Sequence, residues 1–232
     1  MSKILIVLTS HADLGTTGKK TGFYFDEMAA PYLIFSDAGH SVDIASIKGG
    51  APVYDPNSVN ADPEKRPQSV QRFMKDAALM AKLSKTTAID AVDMNAYDAI
   101  FLAGGHGVMW DFAVSERLAD AVSQVYNHGG VVGAVCHGPA GLVNAKRGDG
   151  KPLVYGLRVN GFTDAEERAA QLQDVVPFLL ESKLRALGGK FEGGANFSDY
   201  AVRDGRLVTG QNPQSASSAA KLVVEALAGQ SA

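Results

Sequence analysis

Val131-Val132-Gly133-Ala134-Val135-Cys136-His137-Gly138-Pro139 is the stretch on which the reading of this chain turns. The five residues Val131–Val135 carry no polar side chain, which suits a strand buried on both faces in a parallel sheet covered by helices. The run stops abruptly at a cysteine and a histidine. Small residues stand two before and two after Cys136, a frame that lets the chain turn sharply from strand to helix and lift the middle side chain above the sheet. A helix N-terminus placed there would favour the thiolate, so the sequence predicts a Cys136 pKa below the ordinary value of about 8.5. The plain alternative is a buried apolar filler, since free cysteine is among the most buried residue types. The adjacent His137 and the small-residue frame weigh against that.

The same rhythm of short apolar runs and longer amphipathic ones extends outward in both directions. Residues 4–9 read as a first buried strand, followed by a polar loop over 10–22 and a helix through Tyr32, Leu33 and Phe35 that ends at Gly39. Pro31 suits the first turn of that helix, where a missing N–H costs nothing. Ser41–Ser46 is a second strand, and residues 100–103 are a third that runs into Gly104-Gly105-His106-Gly107. Ser115 is a fitting N-cap for a helix that carries Leu118, Ala121, Val122 and Val125 on one face. Beyond the cysteine, residues 153–162 read as strand material and 177–187 as an amphipathic helix. A hairpin follows, with the Asp204-Gly205 pair that a type I′ turn prefers, and a closing helix spans 215–227. Residues 48–95, with four prolines before a helix over about 70–82, exceed what a crossover requires. They read as a partial cap inserted into one α/β domain over 1–232, with a mostly parallel sheet and helices on both faces.

Composition narrows the function classes. Of 232 residues, 46% are hydrophobic and 20% charged, enough apolar material for a sizeable core. A net charge of -3 offers no electrostatic footprint for nucleic acid or an anionic membrane. The apolar run at 4–8 is shorter than a signal-peptide core of about seven residues, and no run approaches the roughly 18 residues of a membrane span. The chain reads as soluble and cytoplasmic. With one cysteine, no internal disulfide and no cysteine-based metal cage can form.

Around Cys136 the sequence supplies partners for acyl or carbonyl chemistry. His137 is a candidate proton shuttle or thiolate stabiliser. The Gly104–Gly107 turn offers free N–H groups that, with the N–H of His137, could cradle an oxyanion. No GxGxxG follows the first strand and no GxxxxGK[ST] occurs, so a phosphate cradle is disfavoured. His11 and His106 stand at strand C-terminal ends where an open α/β sheet places its crevice; His40 and His128 sit at helix ends and read as structural. Asp26, Glu27, Asp164, Glu166 and Glu167 are the candidate acids. Glu27 stands out because its surroundings from Gly22 to Phe35 are apolar and aromatic, which would raise its pKa and suit a base near neutral pH.

At these residues the chain resembles the ThiJ/PfpI superfamily, relatives of class I glutamine amidotransferases. More narrowly it resembles the branch of heat-inducible, glutathione-independent glyoxalases, also described as holding chaperones. The likeness rests on Ala134-Val-Cys-His-Gly-Pro139, the Gly-Gly-His-Gly turn, Thr21-Gly22 with Glu27, Gly161-Phe-Thr-Asp164 through Glu167, Asp199-Tyr200 and the 207–216 stretch, and covers nearly the whole chain. It implies a flavodoxin-like three-layer sandwich with a nucleophile elbow and a short cap, as in compact fungal-type members. It assigns the nucleophile to Cys136, its histidine to His137, the early glutamate to Glu27 and the acid that orients the histidine to Glu167, with Glu166 as the adjacent alternative. Gly105, His106 and His137 are then the oxyanion and substrate-binding groups.

The implied reaction converts methylglyoxal, or glyoxal, through a cysteine-bound hemithioacetal and an enediolate, giving D-lactate from methylglyoxal without glutathione, metal or nicotinamide. Homodimers are common in the family. Competing readings keep the same cysteine for deglycation, amidase or peptidase chemistry, or make the chain a holding chaperone or a redox sensor oxidised to the sulfinic acid.

Overall fold

The computed structural model describes residues 1–229. A seven-stranded sheet forms its middle layer, built from β1 (Lys3–Leu8), β2 (Ser41–Ser46), β3 (Thr87–Ala88), β4 (Ala99–Leu102), β5 (Val131–Val135), β8 (Ala201–Asp204) and β9 (Leu207–Gly210) in the order β3-β2-β1-β4-β5-β9-β8. Every pairing is parallel except β8 with β9. A separate parallel pair joins β6 (Arg158–Val159) to β7 (Lys190–Phe191).

The apolar strands feed two cores, one on each face, because successive side chains alternate. Ile4, Ile6 and Leu8 share a cluster with Phe25 and Met28 of α1 (Phe25–Asp37) and Val223 of α8 (Ala216–Ala228). Leu5 and Val7 join Leu118 and Val122 of α5 (Glu116–Asn127) on the opposite face. This is an α/β fold with helices flanking a mostly parallel sheet. Among the described residues no helix is long and apolar enough to cross a membrane.

Several local expectations change. α1 begins at Phe25, so Pro31 lies in its interior rather than in its first turn. The helix is buried nearly all round from Phe25 to Leu33, and that burial outweighs the hydrogen bond proline cannot make. The helix expected over about 70–82 is two: α2 (Gln68–Lys75) and α3 (Ala77–Leu83), divided at Asp76, whose extended backbone and side chain cap α3. Residues 153–162 are mostly turns, with only Arg158 and Val159 in a strand; their apolar residues pack from irregular backbone. The hairpin turn carries positive φ only at Gly205, whereas type I′ needs two such residues. Ser115 caps α5 through the N–H of Leu118.

The strand order places β1 between β2 and β4, so the chain leaves on one side and later returns on the other. A crevice opens at such a switch point beyond the strand C-terminal ends. Segment 48–95 seats on this edge. Phe23 donates its N–H to Val53 and accepts from the N–H of Asp55, β3 extends the sheet, and Phe73 of α2 meets Phe25 and Tyr32 of α1 edge to face.

Candidate active site

Cys136 follows β5 with φ of 59°, a left-handed conformation uncommon for a residue with a side chain. Two backbone bonds pin it there: its N–H donates to Gly210 at 2.9 Å and its carbonyl accepts from Phe162 at 2.8 Å. Neighbouring backbone must approach closely, and glycine permits it. A Cβ at Gly138 would lie 2.2 Å from the Leu102 carbonyl oxygen, and one at Gly104 would lie 2.5 Å from Glu27 Oε2. The next element is a five-residue 3₁₀ turn, Gly138–Leu142, not an α-helix.

The His137 imidazole folds back so that Nδ1 lies 3.2 Å from Cys136 Sγ, while Nε2 is 2.8 Å from Glu167 Oε2. Glu167 stands in the first turn of α6 (Asp164–Ala169), whose start is fixed by a capping box between Thr163 and Glu166. Its other oxygen, Oε1, is 2.8 Å from His106 Nε2. Burial pushes the Glu167 carboxyl up, but His137 and His106 together outweigh this and hold it down at about 2. An ionised Glu167 accepts a proton-bearing Nε2 from His137, leaving Nδ1 as an acceptor aimed at the thiol. Burial lowers the pKa of His137, reinforced by His106 and opposed by Glu167. The two imidazoles and Glu167 present ligand atoms within 4.8 Å of one another, but each Nε2 is already committed to a Glu167 oxygen.

Glu27, in the first turn of α1, also approaches the sulfur. Oε2 accepts the Gly104 N–H at 2.9 Å; Oε1 is buried with no hydrogen-bond partner among the described residues, and the carboxyl lies against the thiol. Burial raises Glu27 well above the ordinary carboxyl range. The thiol is raised as well, first by burial and then by Glu27, although the N–H groups of Gly105 and His137 pull back by donating to the sulfur. The expected lowering of the Cys136 pKa is therefore overturned. A short 3₁₀ turn lacks the dipole of a long helix, and two adjacent buried acids resist carrying two negative charges.

One cavity of about 310 Å³ gathers Cys136, His137, Gly105 and His106, with Glu27 and Glu167 directly behind them. The choice between neighbouring acids is resolved geometrically. Glu166 points away from His137 and accepts from Thr163, Phe197, Gln211 and Asn212. His11 does not reach the cavity; it stacks on Trp110 at 5.2 Å. Asp26 bonds Ser69 and Asp164 bonds Ser182, so neither acts at the sulfur. His40 accepts the Ser2 N–H. The sequence reading missed Leu14, Tyr24, Leu172 and Phe197, which also line the cavity. These come from separated loops with no local motif to mark them. A larger groove of about 740 Å³ runs along α5, but no histidine or cysteine lines it.

The chain is similar to known proteins over nearly its whole length. The DJ-1/PfpI family profile matches residues 21–226. The glutathione-independent glyoxalase HSP31 of Saccharomyces cerevisiae is 34% identical over 97% of this chain and 98% of its own. Glyoxalase 3 of Candida albicans is 32% identical over 97% and 98%. Among solved structures, Candida albicans glyoxalase III superposes with a TM-score of 0.89 at 30% identity, covering 97% of each chain. The 24 kDa rapid encystment protein of Francisella tularensis reaches 0.92 at 37% identity, over 98% of this chain and 99% of that one. A profile match over residues 21–226 and relatives similar over nearly their whole length leave one conclusion: the chain belongs to the DJ-1/PfpI family, within which it is most similar to the HSP31-type glutathione-independent glyoxalase branch.

Proposed function

We propose that the protein is a glutathione-independent glyoxalase that converts methylglyoxal to D-lactate on Cys136. The observation that carries this reading is Glu27. A cysteine, histidine and carboxylate alone would serve a hydrolase equally well, but here a second carboxyl lies buried against the sulfur with one oxygen unengaged. Attack of a thiol on an acyl group requires no second carboxyl. A reaction that moves a proton between carbon atoms does.

Cys136 attacks the aldehyde carbon, and its proton passes to His137 Nδ1, whose imidazolium Glu167 stabilises. The developing oxyanion lies near the N–H groups of Gly105 and His137, which otherwise face the sulfur. His137 returns the proton to that oxygen, giving the hemithioacetal. Glu27, in its carboxylate form and with a proton affinity raised by burial, then takes the hydrogen from the aldehyde carbon as a proton and returns it to the former keto carbon. In the enediolate between these transfers His137 carries the hydroxyl proton from the oxygen of the first carbon to that of the second, and a lactoyl thioester results. Water cleaves the thioester, so methylglyoxal plus water gives lactate and the free thiol. His106 holds Glu167 in place from the cavity side.

The test is a chiral lactate assay without glutathione, paired with mass spectrometry of the protein. Cys136→Ala should give neither lactate nor adduct. Glu27→Gln should lose about 10²–10⁴ in rate, as expected for a general base, yet still form the methylglyoxal adduct. Near-normal lactate production by Glu27→Gln would remove it from the mechanism and leave His137 as the proton carrier; no lactate from the wild type would restore the hydrolase reading of the same cysteine.

A further inference from the structure

A cavity of about 310 Å³ falls in the range of pockets that enclose drug-sized ligands, about 300–1,000 Å³. A three-carbon aldehyde would leave most of it unfilled. Two phenylalanines line it together with Tyr24, while Asp55, Asn57 and Gln214 supply its polar edge. The Phe162 ring lies 4.4 Å from the His137 ring and 6.2 Å from the Phe197 ring, with Leu14 and Leu172 also lining the cavity.

Phe197 is an odd residue for its position. It is 45% exposed and has φ of 57°, a left-handed conformation that bulky residues rarely adopt. The strain is held in place: its N–H donates to Glu166 Oε1 at 2.7 Å. The same oxygen accepts from Gln211 and Asn212, so the loop hangs from a buried carboxylate. A turn with no further task would carry glycine or asparagine here and put no ring into water. Strained residues held by their surroundings gather at ligand sites.

We propose that Phe197 and Phe162 form an aromatic slot that selects α-oxoaldehydes bearing an aryl or branched apolar substituent on the keto carbon. With the aldehyde carbon at Cys136, that substituent runs along Phe162 to Phe197. The chemistry is the same isomerisation, so phenylglyoxal plus water gives mandelate. This inference rests on the glyoxalase reading of the site.

The experiment compares kcat/KM for phenylglyoxal and methylglyoxal. Phenylglyoxal should be preferred by the wild type. Phe197→Gly, which removes the ring while suiting the left-handed backbone, should reduce that preference about 2- to 10-fold, the worth of an aromatic pair. Phe197→Tyr should restore it, and a thermal melt of each variant confirms folding. A second arm needs no turnover: Cys136→Ala is titrated calorimetrically with 1-phenylpropane-1,2-dione and with butane-2,3-dione. Tighter binding of the phenyl compound, lost on adding Phe197→Gly, supports the slot even if neither aldehyde is isomerised, an outcome that would sink only the glyoxalase reading. Equal binding of the two diones, or a kcat/KM ratio that Phe197→Gly leaves unchanged, overturns the proposal.

Discussion

Two carboxyls meet around one imidazole–thiol pair, and their surroundings drive them in opposite directions. Glu167 faces two imidazoles and is held at about 2; Glu27 faces apolar walls and a thiol and is raised. Opposed environments of this kind separate an acid that stays ionised from one that can exchange protons near neutrality. Stability follows the same split. Because the folded-state pKa of Glu27 lies above its unfolded value, folding takes up a proton. Its contribution is fully present below the unfolded value of about 4.3 and is lost, at about 1.4 kcal/mol per pH unit, as pH rises toward the folded pKa. Glu27→Gln should therefore melt close to the wild type at pH 4 and above it at pH 8, a gap calorimetry would read. A pH-independent difference would mean that Glu27 is not held protonated. Glu167 has the reverse sign: its contribution is present above about 4.3 and is lost as pH falls toward about 2. Glu167→Gln should cost about 10²–10⁴ in lactate production, since an amide can present its N–H to His137 and turn the acceptor nitrogen away from the thiol. Retained activity would show that His106 alone can orient His137.

At the scale of elements, caps decide where these groups stand. α6 is only six residues long, too short to persist without its capping box. Thr163→Ala should cost about 1 kcal/mol of stability and also several-fold in turnover, because Glu167 sits one turn inside that start; Thr163→Ser should recover both. Ser115→Ala at the head of α5 should cost a similar amount in a denaturant melt but leave turnover alone. Equal effects on turnover would show that cap loss acts through global stability. These caps also mark how far the sequence could be read. Ser115 announced itself as a polar residue before a periodic apolar face, and β5 with its cysteine was legible because an uncharged run ended at small residues. The start of α1 was hidden, since a helix buried nearly all round offers no period to detect, and Pro31 then drew the boundary inward. Residues 153–162 misled for the converse reason: apolar content without a period fits buried turns as well as a strand. Glu27 was visible as an acid in apolar company. The thiol environment was not, because it depends on Glu27 of α1 meeting Cys136 after β5.

Over the whole molecule, the cavity exists because loops from distant parts of the chain are laced across one edge of the sheet. The loop after β1 binds segment 48–95 through Phe23, and binds the loop after β4 through Tyr24, whose N–H donates to Gly104 at 2.9 Å, and through Gly22, which accepts from Gly107 at 3.2 Å. Gly22 is the crossing point. A Cβ there would lie 2.1 Å from the Val53 carbonyl oxygen, and its own carbonyl stands 2.4 Å from where a Gly105 Cβ would be. Neither neighbour is a flexible side-chain tip that could swing aside. Gly22→Ala must therefore push the 53–54 backbone away and loosen the turn that carries Gly105, one of the two N–H groups facing the sulfur. The cost should reach at least the overpacking range of about 1–3 kcal/mol, with most lactate production lost at temperatures where the protein is still folded. Gly18→Ala is the matched control. Gly18 also has a left-handed backbone, φ of 75°, but nothing lies within 4 Å of its added Cβ, so it should lose only the conformational cost of about 1–2 kcal/mol and keep its turnover. Circular-dichroism melts and the lactate assay on both variants separate the two effects. If Gly22→Ala turned over methylglyoxal as fast as Gly18→Ala, the lacing would be a stability device alone, and the geometry at Cys136 would have to be set by β4 and β5 without help from the segment beyond β2.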